Sequence, residues 1–251
     1  MSPLSRYERV LCSWLAGMLS ESRRERIRQT LLNRTRHLTV VLEDVYDPHN
    51  ASACIRTCDC FGVQDIHIIE NQIPFEARKD VTRGAAQWLT LHQYADDGDN
   101  TIRCLEQLRA QGYALVVTTP HHTDCELETW DIMRKTALIF GNEHNGVSQT
   151  ALEMADRRMV IPMFGFTESF NLSVAVSLCL HHLVWRLRQT DCAWRLPPLD
   201  RERMLLDWIR IAMGRKGPPI EAVFERDYRE DQPVPGLIDW PDWEQFTAEK
   251  L

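Results

Sequence analysis

Short β-branched runs alternating with helical stretches between Thr39 and Arg188 predict an α/β fold: a mostly parallel sheet with helices on both faces, flanked by N- and C-terminal helical extensions. Composition agrees. The 251 residues are 44% hydrophobic, 26% charged and 8% aromatic, enough for one or two ordinary cores, and 11 Gly with 12 Pro are too few for a collagen-like or low-complexity chain. No segment approaches the roughly 18 to 20 uninterrupted apolar residues that span a bilayer. Leu178-Cys179-Leu180, for example, runs straight into His181 and His182. Met1 to Arg9 show no basic region followed by an apolar run and a small-residue cleavage site. Neither a signal peptide nor a membrane partner is expected, and the expected compartment is the cytoplasm.

In chain order, residues 6 to 36 read as helical and strongly basic. Val10, Leu11, Trp14, Leu15 and Leu19 share one stripe, followed by Arg23, Arg24, Arg26, Arg28, Arg34 and Arg36. Thr39 to Glu43 then reads as a strand, Ala51 to Phe61 as a helix closed by Gly62, and Ile66 to Ile69 as a second strand. Further strands are expected near Leu89 to Tyr94 and over Tyr113 to Thr118, with a helix from Thr101 to Gln111 stopped by Gly112 between them. Thr136 to Phe140 and Met159 to Ile161 complete the strands, and Asn171 to Arg188 is a long closing helix. After Pro197-Pro198 comes an amphipathic run from Asp200 to Arg215, then a Pro-, Trp- and acid-rich tail that reads as poorly regular. The expected segments are thus a basic extension (1–38), the α/β domain (39–190) and a C-terminal extension (191–251). Ligands of parallel sheets bind outside the carboxyl ends of the strands.

The net charge of −7 argues mildly against a nucleic-acid partner, but its distribution is uneven. Residues 1–38 carry eight Arg and three Glu, a net +5, and the remainder carries −12. Any polyanion contact is therefore expected in the N-terminal segment, although a solvated helix face packed on the body would also explain the charge run. Residues 191–251, at −4, suit a dimer or body contact better than an RNA grip. The eight cysteines show no paired spacing and read as reduced thiols. Cys54, Cys58 and Cys60 lack the paired ligands of a zinc site, and their helical spacing with Ile55 and Phe61 reads as core packing, so no metal is expected.

Three loops carry polar residues at strand ends. In Asp47 to Thr57, Asn50 stands where a helix N-cap would, and Arg56 beside an apolar helix face needs a carboxylate or phosphate partner. In Phe140 to Ser148, two glycines bracket Asn142, Glu143, His144 and Asn145 and let the backbone approach a ligand. The G-x4-G spacing lacks the Lys of a phosphate loop, and a strand-to-helix turn capped by Ser148 accounts for it equally. In Ile161 to Ala175, Ser169 and Asn171 lead into an apolar helix and suit capping. No dinucleotide fingerprint, nucleophile elbow or H-E-x-x-H occurs, which argues against a nicotinamide-dependent enzyme, a serine hydrolase and a zincin.

Taken together, N-x5-R from Asn50, F-G-N-E-x2-G from Phe140 and I-P-M-x-G-x3-S-x-N-x-S-V-A from Ile161 resemble, in order and separation, motifs 1, 2 and 3 of the SpoU/TrmH family of RNA ribose 2′-O-methyltransferases, within the SPOUT class. The resemblance runs from about Thr39 to Arg188. The basic N-terminal helices and C-terminal extension look most like those of the family's tRNA guanosine 2′-O-methylating members. Phe170 departs from the Leu usual between the motif-3 Ser and Asn. The resemblance implies a trefoil-knotted SPOUT fold, a homodimer whose site draws on both chains, S-adenosyl-L-methionine as methyl donor and tRNA as partner. It places Thr118, Gly141, Glu143, Ile161 and Phe170 on the cofactor, has Glu143, Ser169 and Asn171 shape the catalytic site, and turns Asn50 and Arg56 toward the RNA. Alternative expectations are methylation of ribosomal RNA or another tRNA nucleoside, or a non-catalytic RNA-binding relative.

Overall fold

Two serines place the first helices. The structure is a computed structural model that describes residues 3–82, 84–121 and 124–248. In it Ser5 caps α1 (Arg6–Gly17) through a reciprocal capping box with Glu8, and Ser20 caps α2 (Glu21–Leu32) by accepting from the Arg23 N–H. The stretch read as helical over 6–36 therefore forms two helices, parted around Leu19, and ends at Leu32. The chain then divides into two units by contact, one spanning Thr35–Trp194 and the other joining the segment up to Arg34 with that from Arg195.

The first of these units holds, in order, β1 (Leu38–Glu43), α3 (Pro48–Phe61), β2 (Asp65–Ile69), the one-turn α4 (Lys79–Thr82), β3 (Thr90–Tyr94), α5 (Asn100–Ala110), β4 (Ala114–Thr118), the two-residue β5 (Cys125–Glu126), β6 (Thr136–Phe140), α6 (Gln149–Met154), β7 (Arg157–Val160) and α7 (Leu172–Leu187). The strands form one sheet in the order β3-β2-β1-β6-β4-β7-β5, with every pairing parallel. The period of two sorts the strand side chains. Leu38, Val40 and Leu42 of β1 face a core closed by Cys54, Ile55 and Cys58 of α3 and Val176, Cys179 and Leu183 of α7. Val41, Leu115 and Ile139 face the opposite core, closed by Cys104, Leu105 and Leu108 of α5 and Ala151 of α6. Each fully buried Leu, Ile or Val contributes roughly 1.5–3 kcal/mol.

The second unit adds α8 (Pro198–Met213), α9 (Gly217–Asp227) and α10 (Trp243–Thr247). The tail expected to be poorly regular is thus partly helical; its last residues, 249–251, lie outside the described ones. The two extensions, read as separate segments, pack together, with α1 and α2 on α8. Buried Glu202 of α8 accepts from Arg9 at 2.6 Å and from the Leu4 N–H at 3.2 Å, and Tyr7, Trp14, Phe224 and Tyr228 form an aromatic cluster.

One polar network lies within the sheet. Asp65 accepts from Arg36 at 2.6 Å and pairs with His92 at 3.1 Å, while His92 stacks on buried His67 and His67 hydrogen-bonds to the Tyr94 hydroxyl. Burial, reinforced by His92 and opposed by Asp65, lowers His67 from the ordinary 6.5 to about 4. Native His67 then stays neutral down to about pH 4, whereas the unfolded chain takes up the proton near 6.5. The unfolded state binds more protons in that window, so stability falls as pH drops through it, by up to about 1.4 kcal/mol per pH unit. Urea unfolding at pH 7.5 and pH 5 should show this loss in the wild type and a smaller one in His67→Gln; equal losses would exclude His67 as its source.

Candidate active site

Four neighbouring parallel strands, β1, β6, β4 and β7, release their loops along one edge of the sheet, because Leu42 is in register with Phe140, Val117 with Ile139 and Thr118 with Met159. The loop after β6 closes on itself: Asn142 and Gly146 exchange two backbone hydrogen bonds of 2.8 Å. A Cβ on Gly141 would lie 2.2 Å from the Gly146 carbonyl, so only glycine fits there, and Gly146 itself adopts φ +69°. Buried Glu43, at the end of β1, fixes the far side of this loop by accepting from the Ser148 N–H at 2.8 Å and its hydroxyl at 2.7 Å. Ser148 caps α6, as the turn reading expected.

The three motif loops meet at Asn50. Its Nδ2 donates to Glu143 Oε1 at 2.8 Å, and its Oδ1 accepts from Asn171 Nδ2 at 3.0 Å. Glu143 also accepts from the Tyr46 and Asp47 N–H groups at 2.9 and 3.3 Å, and thereby holds the chain entering α3. Partial burial pushes the Glu143 carboxyl up, but the Asn50 amide and the backbone N–H groups of Tyr46, Glu143 and Asp47 outweigh it and hold the group below the usual carboxylate range. Glu143 is an anion engaged in positioning, unsuited to hold a proton at neutral pH. Asn171 caps α7 through Ser173 with the same side chain that reaches Asn50.

Beside this junction lies a cavity of about 470 Å³, ordinary for a small-molecule site. Thr118, Gly141, Glu143, Ile161, Ser169 and Phe170 all line it. Arg158 is its one Arg or Lys among the described residues, with Glu143 and Glu168 as its carboxylates. None of residues 162–170 hydrogen-bonds to another described residue, so the peptide groups of this loop are left to solvent or to a ligand.

Several expectations are corrected. Asp47, not Asn50, caps α3, because Pro48 takes the first helical position. Asn50, expected to face RNA, is only 8% exposed with both amide ends engaged by protein. Ser169 makes no capping bond. Arg56 is exposed on α3, pairs with no described residue and lines no part of the cavity. Arg34, expected to touch RNA, is fully buried over Trp208. Arg36 pairs with Asp65, Arg28 pairs with Glu25, and Arg24 donates to the Ala16 and Leu19 carbonyls, while Arg23 and Arg26 are exposed. Cys54 and Cys58 are buried, but Cys60, read as core, is exposed. No group of three His, Cys, Asp or Glu among the described residues is placed to hold a metal.

Sequence reasoning missed Glu43, whose signal is a carboxylate ending a strand buried at all six positions. It also missed Asp44, which at φ +48° accepts from the N–H groups of Asn71, Gln72 and Ile73. Asn50→Ala removes two hydrogen bonds, one of them to a carboxylate, and should destabilise by about 2–3 kcal/mol. Asn50→Asp sets a second carboxylate against Glu143 and should cost at least as much. Denaturant midpoints within about 0.5 kcal/mol of wild type for both variants would show that the junction does not stabilise the fold.

Comparison with known proteins agrees with this arrangement. A tRNA (guanosine(18)-2′-O)-methyltransferase of Borreliella burgdorferi is 36% identical over 78% of this chain and 88% of its own. One from Thermus thermophilus is 34% identical over 76% of this chain and 97% of its own. The crystal structure of the A. aeolicus TrmH/SpoU tRNA modifying enzyme superposes with a TM-score of 0.66 at 28% identity, covering 75% of this chain and 95% of that one. The family model described as the SpoU rRNA Methylase family matches residues 37–181, which hold all three loops, and the chain belongs to that family.

Proposed function

We propose that the protein methylates a ribose 2′-hydroxyl in tRNA, at a D-loop guanosine, with S-adenosylmethionine as donor. The observation that carries this reading is the meeting of the three motif loops at Asn50 beside one cavity at the strand ends. The cavity suits the donor in character. Gly141 brings backbone to its wall, Ile161, Phe170 and Leu172 supply apolar surface, and Met163 and Glu168 to Phe170 offer peptide groups that bond to no other described residue. When bound, S-adenosylmethionine supplies an electrophilic methyl group.

The protein's part is to position the hydroxyl in line and stabilise the alkoxide that develops on it. Arg56 remains protonated and is a poor base; its planar fork instead binds the adjacent phosphate and spreads the developing charge. The proton passes to that phosphate or to water. Because Arg56 lies outside its own chain's cavity, the reading extends to a homodimer in which it serves the partner's site. The exposed Val174, Leu178 and Trp185, on one face of α7, supply apolar surface for such a contact.

Mass-spectrometric mapping of 2′-O-methyl groups in tRNA and rRNA, from cells with and without the gene, tests the reading. The D-loop guanosine methyl should disappear from tRNA without the gene; an unchanged tRNA profile with a missing rRNA methyl would move the substrate to the ribosome. With purified dimer, Arg56→Lys keeps the charge but loses the fork and should lower kcat by about 10- to 100-fold, and wild-type turnover would end the bidentate role.

We infer that RNA contact by the N-terminal helices falls on the exposed face of α2 that carries Arg23 and Arg26. Truncation of these helices would strip Leu11, Leu15 and Leu31 from their buried packing, so substitution is the cleaner test. Arg23→Ala with Arg26→Ala should weaken tRNA binding and flatten the log K against log salt slope by about 2, leaving cofactor affinity unchanged. A slope equal to wild type would show that these helices serve packing alone.

A further inference from the structure

Phe164 and Phe166 have the most exposed large apolar side chains of the described chain, at 99% and 104% of full accessibility. They flank Gly165 in the loop after β7, between Met163 and Glu168, which line the cavity, yet neither lines it themselves. Exposing two phenylalanines in full is unfavourable unless a partner covers them. The loop that carries them makes no hydrogen bond to the rest of the described chain over residues 162–170, so it is free to settle on an incoming surface. Residues 161–171 contain one Glu and no Lys, Arg or His, so this segment has no charge with which to grip phosphates.

We propose that Phe164 and Phe166 form a stacking platform for an unpaired nucleobase of the RNA substrate, beside the ribose presented to the cavity. The inference rests on the proposed function and adds to it how the acceptor nucleotide is held. A ribose 2′-hydroxyl reaches a cavity at the strand ends only if its nucleotide leaves the helical stack, and an unstacked base needs a new π-surface. Every base presents such a face, so the platform holds the acceptor in place without choosing among bases. A second copy of the chain is the competing occupant. Its apolar contact is already supplied by Val174, Leu178 and Trp185 on the regular face of α7, whereas the two phenylalanines stand on an irregular loop at the rim of the cavity.

Kinetics of the full-length protein on a tRNA transcript provide the test. Phe164→Ala with Phe166→Ala should raise KM for tRNA about tenfold or more, with kcat at saturating tRNA much less affected. Affinity for S-adenosylmethionine by calorimetry and the thermal midpoint should stay as in the wild type. Phe164→Trp with Phe166→Trp should restore KM, because indole offers a larger π-face. An unchanged KM in the alanine variant overturns the platform, and so does a drop in sedimenting mass, which would assign the two rings to the subunit contact. A wild-type protein that methylates no tRNA removes the functional reading and the platform with it, an outcome distinct from active wild type with indifferent variants.

Discussion

The site depends on one short hydrogen-bond chain, Asn171 to Asn50 to Glu143. Each member lies in a segment that follows a different strand: Asn50 after β1, Glu143 after β6 and Asn171 after β7. A neutral amide suits the centre, because only a group with a donor at one end and an acceptor at the other can bond a carboxylate and a second amide together. Glu143 then uses its remaining capacity on the Tyr46 and Asp47 N–H groups, so the negative charge near the start of α3 is held by backbone as well as side chain. The three polar side chains thereby fix the relation between the segments that follow β1, β6 and β7.

The Asn50 junction positions the loops and has no part in moving the proton. An ionised, fully engaged Glu143 and a buried Asn50 leave no proton acceptor in the junction. Arg56 is exposed and pairs with no other described residue. The cavity wall likewise includes Gly141, where no side chain fits, and Met163 and Glu168 to Phe170, whose peptide groups bond to no other described residue.

Much of this was legible in sequence, for physical reasons. β1 and β6 are buried at every position and read as continuous apolar runs, and Gly62 ends α3 at φ +77°, so elements and stops were visible. The strand order was not, because β6 pairs with both β1 and β4 through contacts distant in sequence. Local rules also misplaced Asn50. Capping preference made it a plausible helix start, but Asp47 followed by Pro48 is the stronger signal, and Asn50 was left for a tertiary partner 93 residues away. Two-residue β5 and the short α10 fall below the length at which periodicity carries information.

Charge counting needed the structure most. The net +5 of residues 1–38 overstates what a polyanion meets, since Arg34 is buried on Trp208, Arg28 and Arg36 pair with carboxylates, and Arg24 satisfies the carbonyls that end α1. A guanidinium already neutralised by a neighbour releases few counterions on meeting a phosphate, so these arginines add little to affinity. Of the arginines expected to meet RNA, the exposed ones are Arg23 and Arg26 on α2 and Arg56 on α3. A net charge of −7 makes long-range attraction to a polyanion weak. The proposed platform of Phe164 and Phe166 would add short-range contact near the cavity, where long-range attraction contributes little.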